Sequence, residues 1–436
     1  MRLSRYMKVF PCREEPGRLL LYSTKRGAAI HVPESILASI SDGSLSQSNM
    51  ETLVRLGFLL PEGEEERERE EMRDAFNEAN RQCSRFSAQV VLNMDCNLAC
   101  TYCYEGGMKG RHYMTPETAG ILSSLAEREY IGRGMGAELS FYGGEPLMSM
   151  DLIVSISERL KNACAEKGTR YAFTMVTNGT LLTLSVVNRL LPLGLTGVKV
   201  TLDGPRENHD RFRPFVSGKG SFDTIVANLK DVSPLIDVQV GGNFTRENYR
   251  RFPGLLDYFL EEGITPDRIS LVKFDPVIKS GGDYPLPEFN EGCFSLDEPW
   301  MFEASLFLRE EILKRGYTTP RVGPAACMIE SCNDLVVNWD GVLFKCPAML
   351  GWKEMAVGDL KSGVDDYSAS HNIDVWKKEE CLECAYLPLC FGGCRYLTLL
   401  RNGRIDDVEC RRAYLDETLE QLVRQDLKYQ PRRSRK

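Results

Sequence analysis

Six apolar runs recur through the middle of the chain: AQVVLNM (88–94), ELSFYGG (138–144), YAFTMVTNG (171–179), GVKVTLDG (197–204), DVQVGGNFT (237–245) and RISLVKF (268–274). Each is short, rich in β-branched and aromatic residues, and followed by a turn signal. That is how a strand buried in a parallel sheet reads. Amphipathic stretches such as TPETAGILSSLAEREY and MDLIVSISERL lie between them. The first opens with Thr115 as N-cap, Pro116 at the first helical position and Glu117 beyond it. Strand then helix, repeated about six times, makes an α/β domain. An open β/α barrel and a doubly wound sheet both fit this pattern, and in either the chemistry gathers at the carboxyl ends of the strands.

The segments outside this core read differently. Residues 1–61 carry the β-like runs LLLYST and AAIHV, a helical stretch and the apolar segment LVRLGFLL, a small N-terminal domain. Residues 62–86 hold Glu and Arg at helical spacing, a charged helical linker. The barrel-like domain is expected over 87–280 and a bridging region over 281–326. A Cys-rich domain follows over 327–415, then a C-terminal helix and basic tail over 416–436. The 436 residues suffice for several cores at roughly 100–200 residues per domain.

Composition narrows the chemistry. The net charge of -8 argues against a general nucleic-acid binder. No run approaches the ~18 apolar residues of a membrane span. The opening MRLSRYMKVF lacks a signal-peptide core, so a cytoplasmic location is expected, with no membrane association. There are 15 Cys against 4 His. An odd count cannot be fully paired, and many thiols in a cytosolic setting point to metal or redox chemistry.

The sharpest motif follows the first strand: Cys96-Asn-Leu-Ala-Cys100-Thr-Tyr-Cys103. Three thiolates at this spacing can hold three irons of a four-iron cube and leave the fourth open for chemistry. A zinc knuckle with a distant fourth ligand is the alternative, although zinc favours paired C-x2-C units. The motif, with Tyr102 before its last Cys, resembles the signature of the radical S-adenosylmethionine enzymes. The resemblance implies a partial (β/α)6 TIM-like barrel. It also implies that S-adenosylmethionine binds the open iron and is cleaved by one electron to a 5′-deoxyadenosyl radical. Gly143-Gly144-Glu145-Pro146 resembles the family's methionine-binding GGEP element. Its two glycines permit close backbone approach, and Glu145 offers an acceptor for an ammonium. Thr177 and Asn178 end the third strand, and Thr201 and Asp203 the fourth, where the family contacts ribose and carboxylate. Arg213 is the candidate carboxylate partner by bidentate contact, His209 and Asp210 are expected to order its loop, and Leu271 and Val272 are expected either to pack on adenine or to lie in the buried core.

Eight further thiols close the chain: Cys327, Cys332 and Cys346, then Cys381, Cys384, Cys390 and Cys394, then Cys410. Eight is two sets of four, which matches two fully ligated clusters, while two structural zinc sites are the alternative. The spacing resembles the SPASM auxiliary-cluster domain of peptide-modifying radical enzymes. That resemblance implies one [4Fe-4S] cluster on Cys327, Cys332, Cys346 and Cys394. It implies a second on Cys381, Cys384, Cys390 and Cys410, three clusters in all with the catalytic one.

The reaction expected from the resemblance is hydrogen abstraction from a residue of a ribosomally made precursor peptide, ending in a crosslink or thioether. An external low-potential electron donor is required. Residues 18–60 resemble a winged-helix leader-peptide recognition element, which implies a leader-bearing precursor as partner; a decorating subdomain is the other reading. Sulfatase maturases share the cluster cysteines but carry an Asp after the Cys that corresponds to Cys346. Here Pro347 stands there, so formylglycine formation is the alternative, with Asp203, Asp275 and Asp340 as unranked substitute bases. A non-catalytic iron–sulfur electron carrier is the second alternative. Cys12, Cys83 and Cys293 receive no task, and Cys164 is expected to pack in a helix.

Overall fold

A computed structural model describes residues 1–12, 14–81, 84–278, 292–293 and 295–430. Cys83, residues 281–291 of the expected bridging region and the basic tail 431–436 lie outside the described residues. The chain divides into two compact units.

The larger unit comprises residues 82–320 and 331–371. All six apolar runs become strands: β1 (Arg85–Val91), β2 (Gly136–Tyr142), β3 (Tyr171–Thr177), β4 (Leu195–Thr201), β5 (Asp237–Phe244) and β6 (Leu271–Pro276). They pair in sequence order, every pair parallel. This is the barrel alternative rather than a doubly wound sheet, whose strand order would reverse. Along β2, Ala137, Leu139 and Phe141 are buried, while Glu138, Ser140 and Tyr142 between them are half-buried. The first set joins the main apolar core, which includes residues of the surrounding helices. The helix Pro116–Glu129 starts on Thr115, whose hydroxyl accepts from the Thr118 amide at 3.1 Å. The helix Met150–Glu166 turns Ile153, Ile156, Leu160 and Cys164 to the core, so Cys164 is indeed a packing residue.

Two strands extend this sheet beyond β1. β7 (Asp334–Val337) pairs parallel with β1, and β8 (Leu343–Phe344) pairs antiparallel with β7. Both come from the stretch read as one Cys-rich domain. Residues 331–371 thus belong with the barrel, because Leu335, Val337 and Leu343 are buried in its core.

The smaller unit joins residues 1–81, 321–330 and 372–436. Its N-terminal part is an antiparallel sheet of Met7–Pro11, Arg18–Ser23 and Ala28–Pro33, in that order, followed by helices Ser35–Ser41 and Gln47–Arg55. The middle strand is apolar on both faces, and both are used. Leu19 and Leu21 pack with Leu53 and Phe58 of the same segment. Leu20 and Tyr22 pack with Tyr386, Leu389, Leu415, Leu419 and Val423. The charged stretch 62–86 forms helices Glu65–Arg73 and Ala75–Arg81 inside this unit. Phe76 of the latter stacks edge-on against Trp376 and Phe391, so it packs as well as links. No helix among the described residues is long and apolar enough to cross a membrane.

Candidate functional site

The loop after β1 carries Cys96, Cys100 and Cys103. Its path is fixed from two sides. Ala99 N–H donates to Pro214 O at 2.8 Å, Thr101 N–H to Phe212 O at 3.0 Å, and Lys109 Nζ to Leu98 O at 3.0 Å. On the other side Gly144 N–H donates to Asn93 O at 3.0 Å and Glu145 N–H to Asp95 O at 2.9 Å. The three thiols are half-buried and near enough to affect one another. Burial pushes the Cys103 thiol up to about 11, with Lys109 pulling the other way. A thiol in that condition ionises when a metal takes its proton's place.

Gly143 and Gly144 cannot carry a side chain. Gly143 has φ of 141°, and an added Cβ would lie 2.3 Å from Asn93 O. At Gly144 it would lie 2.2 Å from Asp95 O, the carbonyl just before Cys96. Because backbone, not a flexible tip, is in the way, Gly144→Ala should lower stability by about 2–3 kcal/mol. Thermal unfolding of the purified variant checks this.

Glu145 is engaged by the protein itself. Its carboxylate is fully buried and accepts from Leu147 N–H at 3.0 Å, Thr177 Oγ1 at 2.9 Å and Asn178 N–H at 2.8 Å. These three donors brace the end of β2 against the end of β3 and occupy most of the carboxylate's acceptor sites. Burial raises its pKa, and these donors oppose the rise. Pro146 opens the short helix Pro146–Ser149 behind it. Asn178 turns toward the Cys loop, with Nδ2 at 2.8 Å from Asn97 Oδ1 and 3.7 Å from Cys96 Sγ.

A second network lies across the ends of β4 and β5. The Tyr102 hydroxyl donates to Asp203 Oδ2 and accepts from Arg213 NH1 at 2.9 Å and from Asn243 Nδ2 at 3.1 Å. Asn243 N–H donates to Asp203 Oδ1 at 2.8 Å. Asn243, which the sequence reading passed over, was signalled only by a polar residue at the carboxyl end of a strand. Asp203 is fully buried, and burial raises its pKa against the pull of Arg213. Arg213 Nε is buried without a hydrogen-bond partner. An orphaned guanidinium donor beside a satisfied network fits an anionic ligand group. His209 and Asp210 hold the loop that carries Arg213. His209 Nδ1 accepts from Asp203 N–H at 3.2 Å, Nε2 meets Ser221 Oγ at 2.9 Å, and Ser221 Oγ donates to Arg213 O at 2.7 Å. Asp210 accepts from the amides of Ser221 and Phe222.

The remaining expected residues separate. Thr201 is the half-buried last residue of β4. Leu271 is the first residue of β6 and pairs with Gln239 near the start of β5. It sits at the amino end of the strand, four positions before Asp275, and is not among the carboxyl-end residues that surround the Cys loop. Asp275 pairs with Lys273 at 2.7 Å. Asp340 is exposed and accepts from Asn338 Nδ2 and Val342 N–H in the turn between β7 and β8. Of the candidate bases, Asp203 is committed to the Tyr102 network and Asp340 to a turn.

In the smaller unit, Cys384 and Cys390 lie near enough to Cys381 to raise the cost of charging it, and Cys384 and Cys410 do the same to Cys390. Burial pushes Cys381 and Cys390 up to about 11. Phe391, Gly392 and Gly393 are all left-handed, with φ of 40°, 80° and 73°. A Cβ on Gly393 would meet Glu409 O at 2.1 Å, and Glu409 N–H donates to Gly392 O at 2.8 Å. This close approach fastens the backbone beside Cys410 to the turn after Cys390. Cys327 and Cys394 belong to the same unit, and Cys394 adds to the burial that raises the pKa of Cys327; Cys332 and Cys346 belong to the barrel unit. Cys12 and Cys293 are buried in apolar clusters. Among the described residues no three Cys, His, Asp or Glu converge on a single ion; a four-iron cube takes one thiolate per iron and asks for wider spacing.

Residues 90–259 match the radical SAM superfamily. Fe-coproporphyrin III synthase of Methanosarcina barkeri is 34% identical over 182 residues, 40% of this chain and 41% of that protein. The chain's match thus spans about two fifths of that relative. Among solved structures, native anSMEcpe with bound AdoMet and Kp18Cys peptide aligns with TM-score 0.62 at 18% identity, over 79% of this chain and 97% of that one. Streptococcus suis SuiB bound to precursor peptide SuiA aligns with TM-score 0.53 at 16% identity, over 94% of this chain and 98% of that one.

Proposed function

The chain carries a radical SAM domain, and from that premise we propose that it is a maturase acting on a ribosomally made precursor peptide. The family implies S-adenosylmethionine and one [4Fe-4S] cluster, which together supply a carbon radical able to abstract hydrogen. Cys96, Cys100 and Cys103 would hold that cluster. Gly143 and Gly144 let the end of β2 approach the backbone that leads into that loop, Glu145 fixes the ends of β2 and β3, and Arg213 takes the methionine carboxylate through its unpaired Nε. Tyr102, Asp203 and Asn243 orient Arg213. Pro146, Thr177, Asn178 and Thr201 complete the surround.

Four C-terminal thiols, Cys381, Cys384, Cys390 and Cys410, are gathered as one set and suit a closed auxiliary cluster. For Cys327, Cys332, Cys346 and Cys394 the spacing and its SPASM resemblance carry the assignment to a second one. An external low-potential donor would reduce the catalytic cluster.

The observation that carries the peptide reading is the N-terminal sheet. It ends in the half-exposed strand Ala28–Pro33, and a terminal strand can take a peptide as an added strand. In support, the likeness to SuiB extends over 94% of this chain, whereas that to anSMEcpe covers 79%. Formylglycine formation is the weaker reading, since Pro347 cannot accept a proton. The test is binding of a leader-bearing precursor against the same peptide without its leader, by fluorescence anisotropy. The leader should tighten binding by at least about tenfold; equal affinities reject the reading. Mass spectrometry of the treated peptide then identifies the change, with a two-hydrogen loss expected for a crosslink or thioether.

A further inference from the structure

The span Cys381-Leu-Glu-Cys384 has little structure of its own. It overlaps a single helical turn, Glu379–Leu382, far too short to persist alone. Its order comes from the N-terminal sheet, within the same compact unit. Tyr6 is fully buried, and its hydroxyl donates to Leu382 O at 2.8 Å. Thr24, also fully buried, donates from Oγ1 to Ala385 O at 2.6 Å. Arg5 and Arg69 both pair with Glu383. Lys8 Nζ lies 4.5 Å over the ring of Tyr386. Every non-Cys residue from 382 to 386 is therefore engaged by the first 81 residues. Two of these contacts are hydroxyl-to-carbonyl bonds from buried side chains, one between the two thiols and one just after them. Each fixes a carbonyl of the backbone from which Cys381 and Cys384 project.

We propose that Tyr6 and Thr24 are positioning residues for an auxiliary cluster, and that the N-terminal sheet clamps the Cys381–Cys384 loop in the geometry that holds iron. This rests on the reading of Cys381, Cys384, Cys390 and Cys410 as cluster ligands. It gives the N-terminal segment a role independent of any peptide. It also means that deleting residues 1–61 strips the loop of its clamp and the helix Arg412–Tyr429 of Leu20 and Tyr22, so such a deletion cannot report on leader binding alone.

The test uses full-length protein in which Cys96, Cys100 and Cys103 are all Ala, leaving about eight irons for two auxiliary clusters. Tyr6→Phe with Thr24→Val removes both hydroxyls, Thr24→Ser alone keeps both, and Tyr22→Phe removes a comparable bond, to Val322 O at 3.0 Å, away from the loop. The readout is the rate at which a chelator strips iron. In the double variant, half of the iron should leave about fivefold to tenfold faster, while Thr24→Ser and Tyr22→Phe follow the parent. Equal rates in all variants, or the same acceleration in Tyr22→Phe, overturn the clamp while the cluster reading stands. A parent that holds no iron overturns the ligand reading and the clamp with it.

Discussion

Replacing Cys96, Cys100 and Cys103 together by Ala is expected to abolish conversion of S-adenosylmethionine to 5′-deoxyadenosine under reducing conditions. About four irons per chain should be lost and about eight retained. The separation follows from where the thiols lie. The three sit on one loop after β1, pinned by Phe212, Pro214 and the Gly144–Glu145 backbone. The set Cys381, Cys384, Cys390 and Cys410 belongs to the other compact unit and is held by contacts of its own. Because those pins are backbone bonds, Ala leaves the loop's path intact, and the thermal unfolding midpoint should move by only a few degrees. Residual cleavage above about one thousandth of the parent rate, with the four irons gone, would place the chemistry elsewhere.

The second large effect is expected at Arg213. Its Nε is buried with no partner, and NH1 is spent on the Tyr102 hydroxyl. A carboxylate arriving there completes a charge-assisted pair, and such bonds are worth about 1.5–3 kcal/mol. Arg213→Ala should therefore weaken S-adenosylmethionine binding by about tenfold to 150-fold. Arg213→Lys retains a positive charge beside the buried Asp203 but loses the planar fork, so it should recover only part of the affinity. Iron content should match the parent in both, which distinguishes lost ligand binding from lost cluster. An affinity within about threefold of the parent in Arg213→Ala would remove Arg213 from the cofactor site.

Much of this was legible in the sequence, because the signals are local. Buried parallel strands read as apolar runs, Thr115-Pro116 marks a helix start, and cluster loops declare themselves by Cys spacing. What escaped were long-range facts. The segment containing β7 looked like part of a Cys-rich domain, yet Leu335 and Val337 serve the barrel core. LLLY of the middle N-terminal strand showed burial but not what covers its second face, which is a helix some 400 residues later. Glu145 matched a binding element, and only the three donors around its carboxylate show that the side chain also braces strands. Leu271 was assigned from its strand; the register places it at the wrong end. Asp340 is a carboxylate used to shape a turn, a role that no composition argument distinguishes from catalysis.

The direct measurement of the whole account is the iron, acid-labile sulfide and zinc content of anaerobically purified full-length protein. Three clusters predict about twelve irons with matching sulfide and no zinc. About four irons with two zincs would contradict it, leaving a radical SAM domain joined to structural zinc sites.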